Sequence, residues 1–340
     1  MNVYGSVPGF KAENCLYDTE GNNMIDSFGR NISYMRISVT DKCNLRCRYC
    51  MPAEGVPKRK HCEMLTEEEM ILAVQAAVRL GIRKIRITGG EPLVKKNIIS
   101  ICRRTAEVEG VEDLGITTNG ILLPQMAADL KAAGVKRVNF SLDTLNPEKY
   151  AHITRVGRIE DSIAGFHAAL DAGFEKIKIN AVLIGGFNDD EIAHLAQLTC
   201  QYPVDMRFIE LMPMYDGGDF AENAFIPASH VLKVLPEAVP VPGDGGVAKL
   251  YRLPGAQGNI GLIRPVSAHF CAECNRIRLT ADGKIKTCLH SADEYSIKGM
   301  SLEEMTRQME RAILAKPEWH GVLSHEQRSH AGRNMNQIGG

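Results

Sequence analysis

Three thiols crowd into eight residues, Cys43 to Cys50, within SVTDKCNLRCRYCMP (residues 38–52), spaced three residues and then two apart. A second trio follows at Cys271, Cys274 and Cys288, with His269 and His290 nearby. Thiols this dense in a reducing compartment read as metal ligands rather than disulfide partners. A structural zinc ion asks for four protein ligands, so each trio is one short and a distant His would have to complete it. An iron-sulfur cube can be held at three corners, which leaves its fourth iron free to bind an outside molecule and pass it an electron. For either trio, spacing alone leaves both readings open. Cys15, Cys62, Cys102 and Cys200 stand apart and are read as free thiols.

The chain has 340 residues, 44% apolar and 24% charged, with a net charge of −1. That balance gives no general basic field for nucleic acid, and aromatics at 6% offer few stacking platforms. A zinc-stabilised nucleic-acid-binding module is therefore disfavoured, and any anion site has to be built locally. There is no run of eighteen apolar residues, and the start lacks the basic patch and apolar stretch of a secretory signal. No membrane partner and a cytoplasmic location are expected.

Short apolar strands alternate with amphipathic helical stretches. Strands are expected near Tyr34–Val39, Lys84–Thr88, Asp113–Asn119, Arg137–Asp143, Lys176–Leu183 and Val204–Leu211. Helices are expected from Thr66, which forms a capping box with Glu69, and from about Asn97, Pro124, Glu160 and Asp190, with Gly81, Gly134 and Gly173 as left-handed caps. Six such units predict an α/β fold with a parallel sheet, either doubly wound or a full or partial barrel. Parity selects the barrel. One face carries Ile37, Ile85, Leu114, Phe140, Ile177 and Met206; the other carries polar residues on every strand, describing a wet lumen rather than a sheet buried on both sides. The first cysteine trio directly follows the first strand, at the mouth where barrel enzymes work.

The lumen face holds Arg36, Lys84, Arg86, Lys178 and Arg207, and the strand parity of Arg276 and Arg278 after Cys274 adds two more cations. Seven like charges around one cavity repel unless an anion lies among them. The expected ligand is a polyanion such as a nucleoside triphosphate, and without a Walker-type Gly-Lys-Ser/Thr loop its cleavage is not implied.

With Cys-x3-Cys-x2-Cys intact, the chain resembles the radical SAM superfamily. The resemblance implies a partial (β/α)6 TIM-like barrel and a [4Fe-4S] cluster on Cys43, Cys47 and Cys50. S-adenosylmethionine (SAM) would chelate the open iron and be cleaved to a 5′-deoxyadenosyl radical. Tyr49 matches the aromatic neighbour of the adenine, TGGEP (Thr88–Pro92) with Gly90 matches the motif at the SAM amino group, and Ser141 and Met212 match further SAM-site positions. Within the superfamily, RISVTDKCNLRCRYCMP, KIRITGGEP, GITTNG, RVNFSLDTL, KIKINAVLIGGFNDDE, RFIELMPM, FCAECNRIRLTADGKIKTCL and the terminal MNQIGG resemble the GTP 3′,8-cyclase family over residues 26 to 340. That family implies conversion of GTP to 3′,8-cyclo-7,8-dihydro-GTP, the first step of molybdenum cofactor biosynthesis. It also implies a second [4Fe-4S] cluster on Cys271, Cys274 and Cys288 whose open iron binds guanine. GTP contacts are implied at Arg36, Arg86, Thr117, Lys178, Arg276, Ile277 and Arg278, with Lys84 and Arg207 as further basic positions. Catalytic roles are implied for Arg276, Arg278 and the mobile Gly339-Gly340 end. As partners it implies GTP, an electron donor and a cyclic pyranopterin monophosphate synthase that takes the product, and it leaves room for a homodimer. The competing enzyme reading is a radical SAM peptide modifier with an auxiliary C-terminal cluster, which gives no reason for a basic lumen.

Three regions are expected: a poorly ordered extension over 1–25, the barrel over 26–212, and a cysteine-bearing α+β extension over 213–340. The last is expected to carry an Asp282-Gly283 hairpin turn, a short helix near Ser229 and a helix over 301–315.

Overall fold

The computed structural model describes residues 23–57, 59–214, 224–243, 245–324 and 327–339. The expected strands form as β1 (Tyr34–Ser38), β2 (Lys84–Thr88), β3 (Asp113–Thr118), β4 (Arg137–Ser141), β5 (Lys176–Leu183) and β6 (Val204–Glu210), each parallel to the next. The helices between them are α1 (Glu67–Arg79), α2 (Ile98–Ala106), α3 (Leu123–Ala132), α4 (Pro147–Thr154), α5 (Ile159–Asp171) and α6 (Ile192–Gln201). In α1 the Thr66 hydroxyl accepts from the Glu69 N–H at 3.2 Å and Glu69 accepts from the Thr66 N–H at 2.8 Å, so the capping box starts the helix where the sequence predicts it. Its Met70, Val74 and Ala77 face the sheet, in one core with Ile37, Ile85, Ile116, Phe140, Ile179 and Phe208. Gly81, Gly134 and Gly173 have φ of 84°, 90° and 64°, the left-handed conformation that ends a helix without a Cβ clash.

Helix α4 is an element beyond the expected set. Asn146 caps it by accepting from the N–H groups of Glu148 and Lys149, and Pro147 takes its first position.

The C-terminal residues do not stand apart from the barrel. They contribute α7 (His230–Val234), β7 (Val239–Pro240), β8 (Lys249–Arg252), β9 (Ile260–Ile263), β10 (Arg276–Leu279), β11 (Lys284–Lys286), β12 (Tyr295–Ser296), α8 (Leu302–Leu314) and α9 (Met335–Ile338). Strand β10 pairs parallel with β1, and β9 pairs parallel with β6. One twelve-stranded sheet results, in the order β12-β11-β10-β1-β2-β3-β4-β5-β6-β9-β8-β7. The physical reason is the open edges of a six-stranded partial barrel, whose unpaired N–H and C=O groups need partners. The β10–β11 hairpin turns at Asp282 and Gly283, as expected, with Gly283 at φ 79°.

At the other terminus the folded body begins before residue 26. Met24 is fully buried and its N–H donates to the Leu80 carbonyl at 3.1 Å. The rest of the expected extension, with Cys15, lies outside the described residues. Among those described, no helix is long and apolar enough to cross a membrane.

Candidate active site

Register places Arg278, Arg36 and Arg86 directly beside one another on β10, β1 and β2, and Arg276, Tyr34 and Lys84 one step toward the strand starts. Arg278 and Arg86 are 6% and 7% exposed. Burial, with Arg36 and Arg276 alongside, drives Arg278 well below an ordinary guanidinium, and burial also lowers Arg276 and Arg86. Because an arginine in a protein stays charged, these shifts express the cost of the cluster rather than a neutral group. Burial raises the phenol of Tyr34, but Arg86, Arg36 and Arg276 outweigh it and bring it from 10.0 to about 7. Its ring lies 5.8 Å from the guanidinium carbon of Arg86 and 6.0 Å from that of Arg36.

Across the lumen, Thr117 pairs in register with Asn139, Asn139 with Lys178, and Asn180 with Arg207. Seven buried polar atoms here have no hydrogen-bond partner among the described residues: Nε of Arg36, Nε and Nη1 of Arg86, Nε of Arg276, Oγ1 of Thr117, and Oδ1 of Asn139 and Asn180. Buried polar atoms are ordinarily satisfied, so this concentration marks a surface shaped for a polar ligand. Lys84 shares the lumen parity but is exposed at the start of β2. Ile277, between the two arginines, turns its side chain into the core, so only its backbone faces a ligand.

The first thiol trio sits on the loop after β1. Backbone bonds from Arg46 to Thr154 (3.0 Å) and from Arg48 to Ile153 (2.9 Å) hang this loop on the end of α4. Arg155 adds a clasp, donating from Nη1 to the carbonyls of Arg46 at 2.7 Å and Met51 at 3.2 Å, and it holds a φ of 64° to do so. Sequence reading missed both Arg155 and its left-handed conformation, because the helix it terminates, α4, was not among the expected elements. The glycines of TGGEP also have a structural role. A Cβ on Gly90 would stand 2.4 Å from the Lys42 carbonyl oxygen, and one on Gly89 would stand 2.6 Å from that of Thr40, so these glycines admit the cysteine loop itself.

Tyr49 donates to Asp143 Oδ2 at 2.8 Å and packs on Ile153 and Ile184. Burial raises Asp143 to about 6 and Glu91 to about 7, the latter accepting from Leu93, Thr118 and Asn119. Ser141 lies at the end of β4, half-buried. Burial pushes Cys43 up to about 11 and Cys50 to about 12, and Cys47 rises through burial and the charges of Cys50 and Asp143.

The described end of the tail reaches the lumen. The Gly339 carbonyl accepts from Arg278 Nη1, and a Cβ at Gly339 would stand 2.3 Å from Thr88 Oγ1. Asn336 donates to the Asp41 carbonyl at 2.9 Å, and Met212 packs with Met214, Ala331 and Ile338. Arg333 fastens this segment to the β10–β11 hairpin through Asp282 (2.9 Å) and to Glu294 (2.5 Å). Gly340 lies outside the described residues.

Cys271 and Cys274 bracket a 3₁₀ turn just before β10, and Cys288 follows β11. Burial raises Cys274, but Lys316 and Arg276 outweigh it and the net shift is downward, whereas burial leaves Cys271 raised. His269 stacks on Trp319, and His290 meets Ser329 at 3.0 Å. Among the described residues no three His, Cys, Asp or Glu side chains are arranged to hold one metal ion. Each trio still converges closely enough for its thiols to shift one another. A [4Fe-4S] cube, which takes one thiolate at each of three irons, fits a donor set of three cysteines and no fourth ligand.

Two family models cover most of the chain: the Radical SAM superfamily over residues 37–199 and Molybdenum Cofactor Synthesis C over residues 204–322. The GTP 3′,8-cyclase of Alkaliphilus oremlandii is 48% identical over 323 residues, covering 93% of this chain and 100% of the relative. The chain belongs to the GTP 3′,8-cyclase family. Family members from Peptoclostridium acidaminophilum and Heliobacterium modesticaldum are 48% and 46% identical, again over 93% of this chain and over 98% and 100% of their own lengths. SuiB of Streptococcus suis, in its crystal structure with S-adenosylmethionine, superimposes with a TM-score of 0.63 at 15% identity. It covers 86% of this chain and 68% of SuiB, a likeness of fold alone. This chain carries both the radical SAM region and the Molybdenum Cofactor Synthesis C region, joined in a single sheet.

Proposed function

We propose that the chain is a GTP 3′,8-cyclase, joining C3′ of the ribose to C8 of the guanine to give 3′,8-cyclo-7,8-dihydro-GTP at the start of molybdenum cofactor biosynthesis. The observation that carries this reading is the in-register row Arg278–Arg36–Arg86, with Arg278 and Arg86 buried, Arg36 half-buried, and unpartnered nitrogen atoms on Arg36 and Arg86 at the base of the lumen. A peptide substrate would not need that row; a triphosphate supplies the charge and the acceptors it lacks.

When bound, a [4Fe-4S] cluster on Cys43, Cys47 and Cys50 with SAM supplies the 5′-deoxyadenosyl radical, and a second on Cys271, Cys274 and Cys288 offers guanine an iron. Arg36, Arg86, Lys178, Arg276 and Arg278 grip the triphosphate, with Thr117 and the Ile277 backbone completing the contacts. Arg207 and the exposed Lys84 add to the positive field around them. Tyr49, Gly90, Ser141 and Met212 position SAM above. Because Arg276 and Arg278 leave Cys274 on one strand, the charge that holds GTP and the thiols that hold its base are fixed relative to each other. Arg276 and Arg278 also stabilise the negative charge that develops as the cyclised nucleotide radical is reduced. Under this reading the Gly339-Gly340 end has a catalytic role, and the contact that supports it is the Gly339 carbonyl on Arg278 in the lumen. A one-electron donor and a cyclic pyranopterin monophosphate synthase complete the partners, in a reducing, cytoplasmic setting.

Alanine at Cys43, Cys47 and Cys50 abolishes SAM cleavage under this reading, whereas alanine at Cys271, Cys274 and Cys288 spares some cleavage without nucleotide product. Equal SAM turnover in the two sets would refute the division of labour.

A further inference from the structure

Lys316 follows α8 and is 2% exposed. Its ammonium donates to Cys274 Sγ at 3.5 Å, to the Arg276 carbonyl at 3.0 Å and to the Thr287 carbonyl. All three of its donors are thereby used, and no carboxylate pairs with it among the described residues. A buried ammonium without a counter-charge is costly. The groups facing it that can carry negative charge are Cys274 and Cys288, while Arg30 adds a further positive charge.

The same short segment reaches the third thiol. The His320 backbone N–H bonds to Cys271. Arg30, itself paired to Asp26 at 2.6 Å, donates to the carbonyls of Cys271 (2.9 Å), Glu318 (2.8 Å) and Pro317 (2.7 Å). Residues 316–320 are thus fastened to the first two cysteines, and through the Thr287 carbonyl to the strand end that carries Cys288. Groups behind metal ligands orient them and tune the metal, and a fixed positive charge favours the more negative state of whatever the thiols hold.

We propose that Lys316 is the resident counter-charge of the second thiol trio, its buried ammonium set against Cys274 Sγ so that it raises the reduction potential of the [4Fe-4S] cluster bound there. The inference rests on the second cluster of the proposed function. The step it tunes is the one-electron reduction of the bound cluster from its 2+ to its 1+ state by an outside one-electron donor, for which dithionite stands in below. As a positioning residue, Lys316 also spans the two chain segments that bring the three thiols together.

The test uses full-length protein with Cys43, Cys47 and Cys50 replaced by Ala, so that only the second trio can hold iron. Iron and sulfide are counted after anaerobic reconstitution, and dithionite titration followed by electron paramagnetic resonance gives the midpoint potential. K316M and K316Q are each predicted to move the midpoint to more negative values, with K316R staying near the parent. Loss of iron from both neutral variants but not from K316R would equally support a requirement for charge. An unchanged midpoint in a neutral variant, or loss of iron from all three, would overturn the role of Lys316. A parent that binds no iron would instead overturn the second cluster.

Discussion

At the scale of single residues, the lumen is a problem in charge. Arg36 and Arg86 have buried nitrogen atoms with nothing to donate to, and a triphosphate would give each of them charge-assisted hydrogen bonds. Arg86→Leu should weaken GTP binding, measured by anaerobic calorimetry, by about tenfold to a hundredfold, the value of one interaction of about 1.5–3 kcal/mol. Unchanged affinity would remove Arg86 from the site. Tyr34 gives a pH signature. Its phenol, raised by burial but held at about 7 by Arg86, Arg36 and Arg276, becomes their counter-ion as pH rises. A bound polyanion competes for the same arginines and pushes the phenol back up, so binding takes up a proton. Affinity should therefore fall as pH climbs between about 7 and 9, and Tyr34→Phe should flatten that slope; a slope that survives in Tyr34→Phe would exclude Tyr34 as its source. The sequence supplied the arginines through strand parity. It could not supply the environment of Tyr34, because a tyrosine among aliphatic strand residues reads as core until its neighbours are known.

At the scale of elements, the cysteine loop is seated by backbone contacts more than by its own side chains. Gly90→Ala would drive a Cβ to 2.4 Å from the Lys42 carbonyl. The expected cost is about 1–3 kcal/mol in denaturant unfolding, with less iron retained by the first trio and little change at the second. Normal iron loading with native stability would show that the close approach is dispensable. Glu210 has a comparable role at the other edge. Fully buried, it accepts from the N–H groups of Ala228 (3.0 Å), Val266 (3.0 Å) and Ser267 (2.9 Å), tying two C-terminal segments to β6. Glu210→Ala would leave those donors without a partner and should destabilise the protein by about 3 kcal/mol or more. A change below about 1 kcal/mol would show that water replaces the carboxylate. The six strands, the Thr66 box and the Asp282-Gly283 turn were legible because each rests on local pattern. The pairings β10–β1 and β9–β6 were not, since four-residue strands within Gly- and Pro-rich sequence announce neither partner nor direction. Arg155 and Lys316 were invisible for a related reason, as their roles come from chain segments about a hundred and about forty residues away.

At the scale of the whole molecule, one sheet carries both thiol trios. Strand β1 leads into the first, and β10, its parallel neighbour, leads out of the second, so the two groups lie toward opposite ends of adjacent strands with the arginine row between them. Under the proposed function that arrangement gives the cations of the lumen a common ligand and both thiol trios a part in one reaction. The decisive measurement is anaerobic incubation of reconstituted protein with SAM, GTP and a strong reductant, with both products quantified. The account predicts 5′-deoxyadenosine that rises with GTP and is matched by 3′,8-cyclo-7,8-dihydro-GTP. Deoxyadenosine formed regardless of GTP, with no cyclised nucleotide, would contradict it.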